Sequence, residues 1–155
     1  MALEIERKYL VINDKWRDDV LSKAVMKQGY LCNLPNASVR VRVAENEARL
    51  TIKGRTKGIS RNEYEYAIPI QDAEALLENQ VSGVVIDKVR YQVQCGDHTW
   101  ELDVFHGANQ GLVVAEVELS SEEEAFLMPA WAGEEVSMDS RYYNANLVSH
   151  PFCNW

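Results

Sequence analysis

The sequence predicts an α+β fold: an eight-stranded antiparallel closed β-barrel with a charged interior and helices packed outside it. Three observations predict this. Segments of strict two-residue alternation, rich in Val, Ile, Tyr and Thr, recur along the chain; one column of most segments is ionised while the other is apolar; and helical periodicity is confined to a few short stretches. Successive strand residues point to opposite faces, so each segment sorts into two columns. About eight such segments suffice to close a barrel whose interior holds one small ligand.

Strands are expected near residues 3–12, 28–34, 38–45, 48–54, 61–70, 85–95, 98–106 and 112–120. Asn46-Glu47, Gly96-Asp97 and the Gly54 to Ser60 segment read as hairpin connections, so neighbouring strands run mostly antiparallel. Asp72 to Asn79 places Ala73, Leu76 and Leu77 on one helical face. Ser120-Ser121 ahead of Glu122, Glu123 and Glu124 reads as an N-cap with an acidic first turn, in a helix that Pro129 ends. Short helices are also expected near Asp14 to Ser22 and Asp139 to Val148, the second capped by Asp139 and packed through Tyr142, Ala145 and Leu147.

With 155 residues and 46% hydrophobic composition, residues 1–155 form one domain with a sizeable core. Twenty-four acidic against sixteen basic residues give a formal net charge of −8. That balance argues against general binding to nucleic acid or anionic membrane, and leaves room for a polyanion only at a local basic pocket. Charges interrupt every apolar stretch before it reaches signal-peptide or membrane-spanning length, so a cytoplasmic location is expected. Cys32, Cys95 and Cys153 lack metal or redox spacing and read as reduced thiols, and His98, His106 and His150 are equally scattered.

The chemistry lies in the ionised column. Leu3, Ile5, Tyr9 and Val11 oppose Glu4, Glu6 and Lys8; Val39, Val41 and Val43 oppose Arg40 and Arg42; Leu50 and Ile52 oppose Arg49, Thr51 and Lys53. Tyr64 and Tyr66 oppose Glu63 and Glu65, and Val89, Tyr91 and Val93 oppose Lys88 and Arg90. Leu102 and Val104 oppose Glu101 and Asp103, while Ala115, Val117 and Leu119 oppose Glu116 and Glu118. For any one strand, a polar face that meets water explains such alternation. A merely wet face would admit Ser, Thr, Gln and Asn freely, yet here same-sign pairs recur on strand after strand. Two unit charges about 4 Å apart interact by about 4 kcal/mol at an effective dielectric near 20, so these pairs repel unless ligands intervene. Arginine and lysine pairs suit phosphate oxygens, and carboxylate pairs suit Mg²⁺ or Mn²⁺. With the apolar columns facing outward, hydrophobic burial is expected around the barrel instead of within it.

Glu4-Ile5-Glu6-Arg7-Lys8 resembles the Glu-x-Glu-x-Lys signature of the CYTH domain, or triphosphate tunnel metalloenzyme, superfamily. The resemblance runs on through Gln28-Gly29-Tyr30-Leu31, Val39 to Arg42, Leu50 to Lys53, Arg61 to Tyr66, Lys88 to Tyr91, Glu101 to Phe105, Glu116 to Glu118, Gly133 to Val136 and Asp139 to Tyr142. It is strongest with short bacterial inorganic tripolyphosphatases.

That resemblance implies a small polyanionic triphosphate substrate, divalent Mg²⁺ or Mn²⁺, and, by analogy, a homodimer. Lys8, Arg40, Arg42, Lys53, Lys88 and Arg90 would contact phosphate, with Arg141 as a helper from the C-terminal helix. Glu4, Glu6, Asp103, Glu116 and Glu118 would hold metal, and Glu63, Glu65 and Glu101 would orient the cations. Neighbouring cations favour the neutral form of Lys88 and make it a general-base candidate, while Tyr30 is a candidate phosphate donor or proton-transfer helper. The Gly54 to Ser60 loop carries Arg55 and Lys57 but lacks P-loop spacing. Hydrolysis of inorganic triphosphate to pyrophosphate and phosphate is the preferred reading. A class IV adenylate cyclase, a thiamine triphosphatase and a non-catalytic polyphosphate or nucleotide binder stand as alternatives.

Overall fold

The computed structural model describes residues 2–155. The barrel strands are β1 (Ala2–Val11), β2 (Val20–Leu34), β3 (Ala37–Ala44), β4 (Glu47–Gly54), β5 (Ser60–Ile68), β6 (Ser82–Cys95), β7 (His98–His106) and β8 (Val113–Glu118). They lie in the order β5-β4-β3-β2-β6-β7-β8-β1, and β1 pairs back onto β5, which closes the sheet. All these pairings are antiparallel. A further strand, β9 (Ala132–Glu135), is added to β1 beside the barrel, with Tyr9 opposite Glu135. The β3–β4 turn falls on Glu45 and Asn46, one residue earlier than expected, and Glu45 takes the left-handed conformation (φ 55°).

On the outside, Ile5, Tyr9, Val93, Trp100, Leu102, Ala115, Val117 and Leu119 pack with Trp16 and Trp131. Each large side chain buried there contributes about 1.5–3 kcal/mol relative to exposure. Helix α1 (Ile70–Asn79) covers another part of the wall by setting Ala73 against Val41 and Ala48.

A third cluster forms inside the barrel, contrary to the expectation that apolar burial lies only around it. The inward columns change character along their length: Lys88 gives way to Ile86, Asp103 to Phe105, Glu116 to Val114 and Lys8 to Leu10. These apolar residues and Tyr30 pack against Leu147 and Val148, with Tyr142, Ala145 and Phe152 partly buried beside them. The C-terminal segment thus plugs the apolar part of the lumen. Gly83 makes the docking feasible: its φ is +72°, Val84 N donates to the Val148 carbonyl at 2.9 Å, and a Cβ on Gly83 would stand 2.2 Å from that oxygen.

Helix expectations need correction in three places. Only Lys15–Asp19 forms a 3-10 turn within 14–22, because Val20 onward joins β2 and pairs with β6, Val20 opposite Val93. No helix follows Ser121: the Glu124 carboxylate accepts from Ser120 N at 2.6 Å and contacts His98, while Phe126 docks on Trp100 and Tyr9. The 139–148 helix is split into a 3-10 turn at Ser140–Tyr142 and α2 (Asn144–Leu147). Asp139 does cap the first of these, accepting from Arg141 N at 3.1 Å. No helix among the described residues is long and apolar enough to cross a membrane.

Candidate active site

The ionic part of the lumen is a cavity of about 420 Å³. Glu4, Glu6 and Lys8 from β1, Tyr30 from β2, Arg40 and Arg42 from β3, and Lys53 from β4 line it. Lys88 and Arg90 from β6 and Glu116 and Glu118 from β8 complete the set brought together. The register explains the juxtapositions: Glu6 lies opposite Glu118 and Lys8 opposite Glu116 on the β1–β8 ladder, while Arg90 lies opposite Asp103 on β6–β7.

Asp103 is buried beneath the cations and does not line the cavity. Its Oδ1 accepts from Arg90 Nε at 2.7 Å, and its Oδ2 accepts from Arg90 Nη2 and Lys88 Nζ, both at 2.9 Å. Burial opposes its ionisation, but Arg90 and Lys88 outweigh that and hold its pKa down to about 2. The geometry makes Asp103 an anchor for two cations, and its oxygens are already engaged. Arg90 also reaches Glu101 at 2.7 Å. Burial pushes Lys88 down to about 7, with Arg90 and Arg42 reinforcing it and Asp103 opposing.

The cations on β3 are compensated far less. Arg40 Nε is buried without a partner, and Arg40 meets Thr51 at 3.3 Å and Glu65 only at 4.0 Å. Arg42 Nε donates to Gln28 Oε1 at 2.9 Å, and among the described residues Arg42 has no ion-pair partner. Burial, followed by the charges of Arg40 and Arg90, lowers its pKa to about 9, which still leaves it charged at neutral pH. Buried cations lacking anions are what a polyanionic ligand would complete.

The carboxylates form the complementary problem. Burial, then repulsion from Glu116 and Glu4, raises the pKa of Glu6 well above the carboxylate range. Burial and the nearby Glu4 and Glu101 raise Glu118 as well. Glu116 is driven the other way, because Lys8 at 3.3 Å and Arg90 outweigh its burial. Glu4 is held by Lys53 and Arg61, each at 3.1 Å. Crowded oxygen donors on adjacent strands fit a hard divalent cation, which would relieve the repulsion around Glu6. Among the described residues no three acidic groups are already gathered into a closed ligand cluster.

Two placements depart from the rest. Arg141 stays outside the cavity, exposed, with Nη2 2.7 Å from Asp139 and its guanidinium 5.1 Å over the Trp155 ring. Tyr30 both lines the cavity and packs on the plug. Three participants carried no role in the sequence reading: Arg61, Gln28 and Asn144. Arg61 shares the inward parity of Glu63 and Glu65, a signal that was available. Gln28 shares the parity of Tyr30 but is uncharged, and Asn144 comes from the plug, where strand alternation says nothing.

The CYTH domain family model matches residues 2–149. The chain is 46% identical over 156 residues to an inorganic triphosphatase of Acetivibrio thermocellus, covering 100% of this chain and 99% of that protein. It is 39% identical over 150 residues to an inorganic triphosphatase of Nitrosomonas europaea, covering 94% and 96%. A crystal structure of an inorganic triphosphatase superposes with a TM-score of 0.70 at 36% identity, covering 96% of this chain and 95% of the other.

Proposed function

We propose that this chain, which belongs to the CYTH domain family, hydrolyses inorganic triphosphate to pyrophosphate and phosphate inside its two-sign lumen. The observation that carries the reading is the pairing of incompletely neutralised, buried Arg40 and Arg42 with a crowded carboxylate group across one cavity. Relatives aligned over nearly the whole chain bear the same activity in their names.

In this reading Lys8, Arg40, Arg42, Lys53 and Arg90 bind the phosphate oxygens and stabilise the charge that spreads over them during transfer. Glu4, Glu6, Glu116 and Glu118 would hold Mg²⁺ or Mn²⁺, which when bound supplies charge neutralisation and Lewis-acid polarisation of the phosphates. Water attacks the terminal phosphorus, the bond from that phosphorus to its bridging oxygen breaks, and pyrophosphate departs. Neutral Lys88 has two N–H groups, which Asp103 and Asn144 accept, and one lone pair left to take the proton of the attacking water. Asp103 keeps both Lys88 and Arg90 in place, and Tyr30 donates its hydroxyl to a phosphate oxygen. Three free cysteines suit a reducing, cytoplasmic setting.

Phosphate release from tripolyphosphate, compared with ATP, thiamine triphosphate and pyrophosphate and with cyclic AMP measured separately, tests the proposal. Release that requires Mg²⁺ or Mn²⁺ and disappears in Glu4→Ala is expected. Efficient cyclic AMP formation with negligible phosphate release would overturn it in favour of a cyclase. Tight tripolyphosphate binding without turnover would make the chain a binding module.

A further inference from the structure

We propose that Asn144, carried into the lumen by the C-terminal plug, donates its side-chain amide to the terminal phosphate group of the substrate, and that Gln28 sets the orientation in which it does so. This rests on the triphosphate reading above and assigns to that site a contact from outside the barrel wall.

The orientation follows from which groups can only donate. A guanidinium has no acceptor, so the Arg42 Nε contact at 2.9 Å requires Gln28 to turn its carbonyl oxygen toward Arg42. The Gln28 amide nitrogen is thereby aimed at Asn144, and it donates to Asn144 Oδ1 at 2.9 Å. Lys88 Nζ donates to the same oxygen at 3.1 Å. Two donors occupy both lone pairs of Oδ1, which leaves the Asn144 amide nitrogen facing away from them. Among the described residues that nitrogen makes no hydrogen bond, both side-chain contacts of Asn144 being to its oxygen, and Asn144 lines the cavity. An uncharged donor with two free N–H groups is therefore held beside Lys88, where a phosphate oxygen can accept from it.

The position is as constrained as the orientation. Asn144 opens α2, whose Leu147 is fully buried against Ile86, Phe105 and Val114 inside the barrel. Gln28 is likewise fully buried. A donor held by packing on one side and by two hydrogen bonds on the other pays little ordering entropy when substrate arrives. Because the amide shares its oxygen with Lys88, the phosphate it contacts is the one whose attacking water Lys88 serves.

Tripolyphosphate binding by calorimetry without added metal, alongside metal-dependent turnover, tests this with four single variants and one double variant. Asn144→Leu removes both amide functions; Asn144→Asp keeps an acceptor for Gln28 and Lys88 but replaces the donor. Asn146→Asp places a carboxylate at another cavity-lining position and controls for charge alone. The expected loss for Asn144→Leu is about tenfold to a hundredfold in affinity, the worth of a hydrogen bond to a charged group. Asn144→Asp should bind more weakly still, and at least about tenfold more weakly than Asn146→Asp. Asn144→Asp binding as well as the unaltered chain would mean that only the oxygen matters, and equal losses in both Asp variants would reduce the effect to charge; either result overturns the contact. Gln28→Leu should weaken binding through both Arg42 and Asn144, and its loss should be smaller in an Asn144→Leu background than in the unaltered chain, because the part exerted through Asn144 is then already gone. Multiplying losses would overturn the orienting role. Thermal unfolding of every variant checks folding, and if Asn144→Leu does not fold, the two Asp variants decide. Should the unaltered chain bind tripolyphosphate without hydrolysing it, the hydrolase reading fails while the binding comparison still decides Asn144.

Discussion

The two parts of the lumen are built on the same strands and differ only in what those strands turn inward. Where β6, β7 and β8 present Lys88, Asp103 and Glu116, the interior is an ion-paired cavity; where they present Ile86, Phe105 and Val114, it is an apolar socket filled by the C-terminal segment. The ionic part is held by pairing between strands, as in the Asp103–Arg90–Lys88 group, and keeps Arg40 and Arg42 short of partners. The apolar part is filled by the plug, with Leu147 fully buried. One part is left unfinished for a ligand, and the other is finished by the chain itself.

Substitutions on either side of that boundary should separate binding and catalysis from support. Lys88→Ala should lower kcat for tripolyphosphate by about 10²–10⁴-fold, the usual worth of a positioned general base. Near wild-type turnover at saturating metal would remove Lys88 from the chemistry. Asp103→Asn should cost about 3–5 kcal/mol in denaturant unfolding, because it leaves the Arg90 guanidinium buried beside a neutral group.

The same variant carries a pH signature. The folded pKa of Asp103, about 2, lies below its ordinary value of 3.8. Its stabilising contribution is therefore fully present above about 4 and is lost as pH falls through about 2. Acid unfolding between those limits should become shallower in Asp103→Asn.

In the apolar part, Leu147→Ala should cost about 2–5 kcal/mol through the cavity it leaves, while its acid unfolding keeps the wild-type slope. Matching acid profiles in Leu147→Ala and Asp103→Asn would break the division between the two parts. Gly83→Ala should cost about 1–3 kcal/mol from a side chain forced to positive φ, and more because its Cβ would stand 2.2 Å from the Val148 carbonyl oxygen, so that the Val84–Val148 hydrogen bond has to open. Hydrogen exchange at the Val84 amide measures whether it does.

The legibility of the molecule followed the strength of alternation. The stretches around Arg40, Lys53, Lys88 and Glu116 could be placed on strands, and their charges on the inner face, because each alternates strictly. The first part of β2 was missed because its inward residues, Ser22, Ala24 and Met26, are small or apolar while Lys23 and Lys27 face outward, so the charge contrast disappears. The helix expected after Ser121 failed for a tertiary reason. Glu124 satisfies Ser120 locally, but its contact with His98 and the docking of Phe126 on Trp100 draw the chain across the barrel wall.

Local spacing by itself determined the barrel, the two signs of its inner face and most of the cations that meet there, since period-two alternation is a property of neighbouring residues along one strand. Only the tertiary structure decided which charges neutralise one another, that Arg141 stays outside, and that Gln28 and Asn144 enter the ionic network. Those outcomes depend on register between strands and on where a distant C-terminal segment docks, and neither is encoded in the spacing of any single strand.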